Sequence, residues 1–216
     1  MLRAAACAVP SLYAAMLVAG ADPLHAAPVD AAVSAVPPGT SPVAIGQRRL
    51  NVVAGKRALV NGRLAAPGAG QPVALQRQTG NGWRTIDRSV TAPDGAFLFR
   101  FHPQSPGSAL VRVQAGAGTR HVGRLNVYRH ALVSWYGPGL YGGHLGCGGT
   151  LTPSTLGVAH KTLPCGTKVT LRFGGRTVRV AVVDRGPYVG AREFDLTAAT
   201  KDRLGFAGVG TILVAD

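Results

Sequence analysis

Apolar residues recur along this chain mostly at every second position, in short runs cut by Gly, Pro, Asn and Asp. That rhythm predicts an all-β protein. Between residues 43 and 130, strands are expected at Arg49–Val53, Ala58–Leu64, Pro72–Gln78, Trp83–Ser89, Ala96–Phe101, Ala109–Gln114 and His121–Tyr128. Turn residues separate them: Pro67-Gly68, Gly80-Asn81-Gly82, Asp94-Gly95 and Pro106-Gly107. About seven strands at this spacing suggest a small Ig-like β-sandwich. Within Ala96–Phe101 the alternation sends Phe97, Phe99 and Phe101 to one side and Leu98 and Arg100 to the other.

The rhythm continues through residues 131–216. Strands are expected at Leu132–Tyr136, Gly157–His160, Lys168–Phe173, Thr177–Asp184 and Gly210–Val214. Gly174-Gly175 between two alternating runs signals a hairpin. One helix is predicted over Thr197–Leu204, with Thr197 as N-cap and Gly205 following at its end. Leu196, Ala199 and Leu204 would form its buried side.

The N-terminus breaks the pattern. Arg3 is the only charge before Asp22, an Ala-rich apolar run covers Ala4–Ala21, and small residues stand at Ala26 and Ala27. This predicts a signal peptide over 1–26, with an uncleaved anchor as the rival. Residues 27–42, rich in Ala, Pro, Ser and Val without periodicity, read as a linker.

Charge changes the picture of the middle segment. The 216 residues carry a formal net charge of +14. Residues 41–130 hold 13 Lys or Arg against 2 Asp, and residues 131–216 hold 9 against 5 acids. A basic surface of this kind attracts polyanions, whether nucleic acid, acidic lipids or wall polymers, and of these residues 43–130 are expected to meet anionic wall polymers; solubility alone is the rival reading. Export argues against nucleic acid as the partner.

Past the signal, two cysteines remain, Cys147 and Cys165. An even count in an exported chain favours a disulfide. A metal site completed by His144 and His160 is the rival, though its spacing matches no zinc pattern. No glycine-rich phosphate loop opens a helix, so no nucleotide, flavin or metal cofactor is expected.

Chemistry concentrates between Ser134 and Asp195. Of the five acids in residues 131–216, Asp195 is the first candidate for proton transfer and Asp184 the second. For Asp195 the competing role is a helix N-terminal acid. For Asp184 it is a turn bond or an ion pair with Arg185. Glu193 is a further candidate acid. His160 could orient a carboxylate, hold a ligand hydroxyl, or be structural. Tyr136, Tyr141 and Tyr188 suit stacking on a ligand ring, whereas Trp135 reads as core. Arg185 could pair with a substrate carboxylate.

Four blocks together resemble one family. They are Trp135-Tyr136-Gly137, Ala159-His160-Lys161-Thr162-Leu163-Pro164 with Gly166-Thr167, Asp184-Arg185-Gly186-Pro187, and Phe194-Asp195-Leu196. Their order and spacing resemble the double-psi β-barrel of the rare lipoprotein A (RlpA-like) proteins, which is related to expansins. The resemblance covers residues 131–216. It implies a six-stranded barrel with a groove that binds β-1,4-linked glycan, peptidoglycan in bacterial members. It also implies lytic cleavage between N-acetylmuramic acid and N-acetylglucosamine to an anhydro sugar. The acid matching the family's Phe-Asp-Leu block is Asp195.

One departure stands out. The loop Gly148–Gly157 reads GGTLTPSTLG, with no acid where lytic relatives commonly carry them. Gly149 and Thr152 occupy those places, leaving Thr152 as a binding candidate. Two functions therefore fit: a lytic transglycosylase, and a non-catalytic expansin-like protein that binds or loosens wall glycan. A barwin-like inhibitor is a third.

Overall fold

The computed structural model describes residues 42–216. The predicted signal and nearly all of the linker lie outside the described residues.

Residues 43–128 form two sheets. The first holds β1 (Val43–Arg49), β3 (Ala58–Leu64) and β6 (Ala96–Phe101) in the order β1-β3-β6, all antiparallel. The second runs β5 (Gly82–Val90), β4 (Pro72–Thr79), β7 (Gly107–Ala115) and β8 (Gly118–Tyr136), with the short β2 (Asn51–Val53) parallel to β8. Val60, Phe97 and Phe99 from one sheet and Leu75, Val111, Val113 and Val127 from the other meet in a single apolar core. Phe97 and Phe99 point inward as the alternation requires, and Phe101 packs at the core's margin. Strand β1 is absent from the sequence-based expectation for a physical reason. Only Val43 of its seven residues is buried, so its pattern carries little apolar signal.

The second half closes on itself. The participating strands are the end of β8, β9 (Gly157–His160), β10 (Lys168–Phe173), β11 (Arg176–Asp184), β12 (Phe194–Thr197) and β13 (Gly210–Ala215). They pair in the ring β8-β12-β9-β11-β10-β13 and back to β8. This is a six-stranded barrel, filled by Val133, Val158, Leu171, Phe194, Leu196, Leu204 and Val214 among others. Gly174-Gly175 forms the β10–β11 hairpin as expected, with Phe173 opposite Arg176.

The helix α1 (Ala198–Leu204) starts where the sequence predicts. Thr197 is its N-cap, accepting from the Thr200 amide, and Gly205 ends it in the left-handed conformation. Thr197 and Thr200 also hydrogen-bond both backbone groups of Gly157, where β9 begins. A side chain at Gly157 would strike Val183 at 2.3 Å, so close strand packing here requires glycine.

The boundary placed by sequence at 130/131 falls inside β8, which runs unbroken for 19 residues. Its first part pairs with β7 and β2, its last with β13 and β12.

Candidate functional site

Strand register assembles the site. Asp195 on β12 stands beside Ser134 of β8 on one side and Ala159 of β9 on the other. Ala159 in turn stands beside Asp184 of β11. A register shift between Val182 and Asp184 brings that carboxylate into the row. The row across four strands is therefore Asp184, Ala159, Asp195, Ser134, with Tyr136 two residues beyond Ser134 on the same face. The two aspartates are two strand spacings apart, about 9–10 Å between Cα atoms, and the small Ala159 lies between them.

Asp195 is half-buried. Burial raises its pKa above the ordinary 3.8; Arg192 opposes this and the charge of Asp184 adds to it. Its Oδ1 is hydrogen-bonded to the Ser134 hydroxyl, which accepts from Arg192 Nη1 at 2.9 Å. Arg192 is itself pinned by its Nε donating to the Val189 carbonyl at 3.1 Å. A chain Arg192–Ser134–Asp195 thus fixes the carboxylate from one side. The competing role as a helix N-terminal acid does not apply, because Asp195 precedes the N-cap by two residues and the first turn holds no acid.

Asp184 is fixed differently. Its Oδ1 accepts from the Gly146 amide at 2.7 Å and the Arg185 amide at 2.8 Å. The turn bond expected from sequence is present. The ion pair with Arg185 is not, because that guanidinium turns away. It donates to the carbonyls of Leu163 at 2.8 Å and His160 at 3.2 Å, and to Cys165 Sγ. Arg185 therefore braces the β9–β10 loop. Substitution of Gly146 tests the other anchor: a Cβ there would lie 3.0 Å from Asp184 Oδ1 and 2.9 Å from Arg185 Cγ. Gly146→Ala is expected to disturb this charge-assisted bond and to lower stability by about 1.5–3 kcal/mol; thermal unfolding checks it.

Tyr136 carries the one buried side-chain polar atom among the described residues without a hydrogen-bond partner. Burial and the nearby charges of Asp184 and Asp195 hold its hydroxyl strongly protonated. It is a donor facing two carboxylates in the row, close enough to feel both, with Asp184 the stronger influence.

Other sequence candidates lie elsewhere. His160 is opposite Phe194, on the far face from Asp195, and its ring packs on Phe194 at 4.6 Å. Its Nδ1 accepts from the amides of Thr162 and Leu163 at 3.1 and 3.0 Å, so its proton sits on Nε2. Burial lowers its pKa. His160 ties a turn and does not reach the carboxylate it was expected to orient. Glu193 likewise faces away, paired with Arg129 at 2.6 Å in a cluster that includes Asp216. Thr152 sits in an exposed turn with Ser154 and Thr155. Tyr188 is 77% exposed and Tyr141 39%, on the β11–β12 and β8–β9 loops that lead from the row. Trp135 is partly buried, with Lys201 Nζ 4.3 Å over its ring.

Cys147 and Cys165 form a disulfide, which removes the two thiolates a metal site would need. It ties the β8–β9 loop, beside Gly146, to the turn before β10. Ser134 and Arg192 were invisible as site residues in the sequence. Ser134 lies 61 positions from Asp195, and only the parallel pairing of β8 with β12 brings them together. Ser134→Ala is expected to remove a donor to the charged carboxylate and so raise the Asp195 pKa further. The titration of the Asp195 carboxyl, followed by NMR, should then move to higher pH.

Comparisons with known proteins bear on the barrel half. The lytic transglycolase family model matches residues 130–215. A probable endolytic peptidoglycan transglycosylase RlpA of Synechocystis is 41% identical over 85 residues, 38% of this chain and 26% of that protein. The endolytic peptidoglycan transglycosylase RlpA of Campylobacter jejuni is 42% identical over 82 residues, 37% of this chain and 30% of its own length. The probable endolytic peptidoglycan transglycosylase RlpA of Aquifex aeolicus is 36% identical over 97 residues, 44% of this chain and 43% of that protein. The matched part thus spans between about a quarter and 43% of the length of these relatives. With the closed ring of six strands and the Asp195 block in place, residues 130–215 are an RlpA-like double-psi β-barrel domain.

Proposed function

We propose that this protein acts in the cell envelope as a peptidoglycan lytic transglycosylase, with Asp195 as its proton carrier. The observation that carries the reading is the row Asp184–Ala159–Asp195–Ser134: a half-buried carboxyl of raised pKa, braced by Ser134 and Arg192, beside a second carboxylate. The names of the relatives, endolytic peptidoglycan transglycosylases, supply the substrate class.

A lytic reaction asks less of the protein than hydrolysis, which normally uses two carboxyl groups. Protonated Asp195 donates to the glycosidic oxygen of the departing N-acetylglucosamine as the bond to C1 of N-acetylmuramic acid breaks. The resulting carboxylate then takes the proton of the muramic acid's own C6 hydroxyl as its oxygen closes on C1. An anhydro sugar forms, no water is consumed, and Asp195 ends protonated as it began. Asp184 supplies negative charge beside the positive charge that develops on the sugar ring. The Tyr136 hydroxyl is a donor for the substrate or for the carboxylate formed in mid-reaction. This scheme does not need the acid that the Gly148–Gly157 loop lacks. Tyr141 and Tyr188, exposed on flanking loops, suit contact with sugar faces.

The test is incubation of the protein with purified sacculi, followed by mass spectrometry of soluble products. Anhydro-muropeptides that vanish with Asp195→Asn support the reading. Tight sedimentation with sacculi and no soluble product supports the expansin-like binding role instead.

A further inference from the structure

A cationic cleft lies away from the carboxylate row. A cleft of about 800 Å³ is lined by Arg48, Arg49, Lys56, Arg57, His102 and Arg172, over a floor formed by β2. No carboxylate lines it, and none occurs anywhere from residue 42 to residue 86. A second cavity of 220 Å³ continues from it, sharing Arg48, Arg49 and Arg57. Among the described residues, none of the five Lys and Arg side chains has an ion-pair partner, whereas Arg63, Arg129 and Lys201 each do.

The cleft is built. A register shift in β1 between Ile45 and Arg48 interrupts the alternation, and both Arg48 and Arg49 reach the cleft. The floor is held by Asn51, whose Oδ1 accepts from Asn126 Nδ2 at 2.7 Å and from the fully buried Tyr128 hydroxyl at 3.1 Å. Arg172 comes from the barrel strand β10, so the cleft spans the seam between the two halves. In the barrel ring, β10 stands three places from β12, on the opposite side from Asp195.

Convergent cations without counter-charges focus a positive potential that attracts anions. Arginine forks match phosphate and carboxylate oxygens. The continuation into a second cavity gives room for more than one anionic group. We propose that this cleft binds a linear polyanion carrying repeated phosphate or carboxylate groups, such as an anionic wall polymer, without occupying the glycan face.

The test uses the full chain and two labelled probes, linear polyphosphate and polyglutamate, followed by fluorescence anisotropy across salt concentrations. The cleft variant Arg48→Gln/Arg49→Gln/Lys56→Gln/Arg57→Gln is compared with a control of equal charge from exposed positions, Arg84→Gln/Arg88→Gln/Arg100→Gln/Arg120→Gln. The cleft variant is expected to bind at least one probe more than about tenfold more weakly. Its salt slope should flatten by roughly 3, on the scale of 0.7 per cation for single strands. The control should lose far less. The single change Arg172→Gln, which touches only the barrel side, should weaken binding severalfold and covers the case of a quadruple variant that folds poorly. Asp195→Asn should bind normally, which separates this site from the proposed catalysis. Equal losses in the cleft and control variants would overturn the proposal. So would binding to phosphatidylglycerol vesicles but to neither soluble polymer.

Discussion

Asp195→Asn is expected to cut the release of anhydro-muropeptides from sacculi by about 10²–10⁴-fold, the usual contribution of a positioned acid–base group. The fold should survive the change, because the amide keeps the carboxyl's shape and can still accept from Ser134. Thermal unfolding across pH provides the second readout. In the folded protein, burial raises the Asp195 pKa above its ordinary 3.8, with Arg192 opposing and Asp184 adding. The folded state thus keeps this proton over a range of pH where the unfolded chain has released it. The group's contribution to stability is full below the unfolded value and declines as pH rises through the folded one. Asparagine has no such dependence. The variant should therefore melt at or above the wild-type temperature at pH 7, and its relative advantage should shrink as pH falls through the raised folded pKa and level off below the unfolded value of about 4. A variant that keeps full turnover would sink the assignment. One that melts far below wild type at pH 7 would instead make Asp195 a structural residue.

Cys147→Ser/Cys165→Ser is expected to lower stability by about 3 kcal/mol, from the loop entropy of a cross-link spanning 18 residues. For a protein of this size that corresponds to a fall of roughly 6–12 °C in Tm. Activity should fall as well, since the cross-link holds the loop whose Gly146 amide anchors Asp184, and since Arg185 donates to Cys165 Sγ. Calorimetry with and without reductant, alongside turnover on sacculi, measures both effects. A change below about 1 kcal/mol with unaltered turnover would show that the loop is held by its backbone bonds alone.

Much of this fold is legible in the sequence where the signal is local. Strands such as Ala58–Leu64, Ala96–Phe101, Gly157–His160 and Lys168–Phe173 follow from alternation and turn residues, and their ends coincide with the structure. The cap pair Thr197 and Gly205 bounds the helix because capping is a matter of a few neighbouring residues. Strand β12 escapes that logic. Its four residues pair on both sides with strands distant in sequence, and that pairing is what makes them a strand. The site divides in the same way. Asp195 and Asp184 stand out by motif, but their alignment across Ala159, the Ser134–Arg192 brace and the seating of the Tyr136 hydroxyl are products of register. Arg185, His160 and Glu193 were legible as chemistry but not as direction. Arg185 and Glu193 are turned from Asp195 by partners far along the chain, His160 by the amides two and three residues on.

The unbroken strand β8 has a mechanical consequence. A ribbon of 19 residues extends roughly 60 Å at about 3.3 Å per residue. It enters the first half at Gly118 and ends at Tyr136, two residues past Ser134. No flexible hinge separates the two halves along it. Tension on a polymer gripped by the first half would travel along this continuous strand to the brace that steadies Asp195.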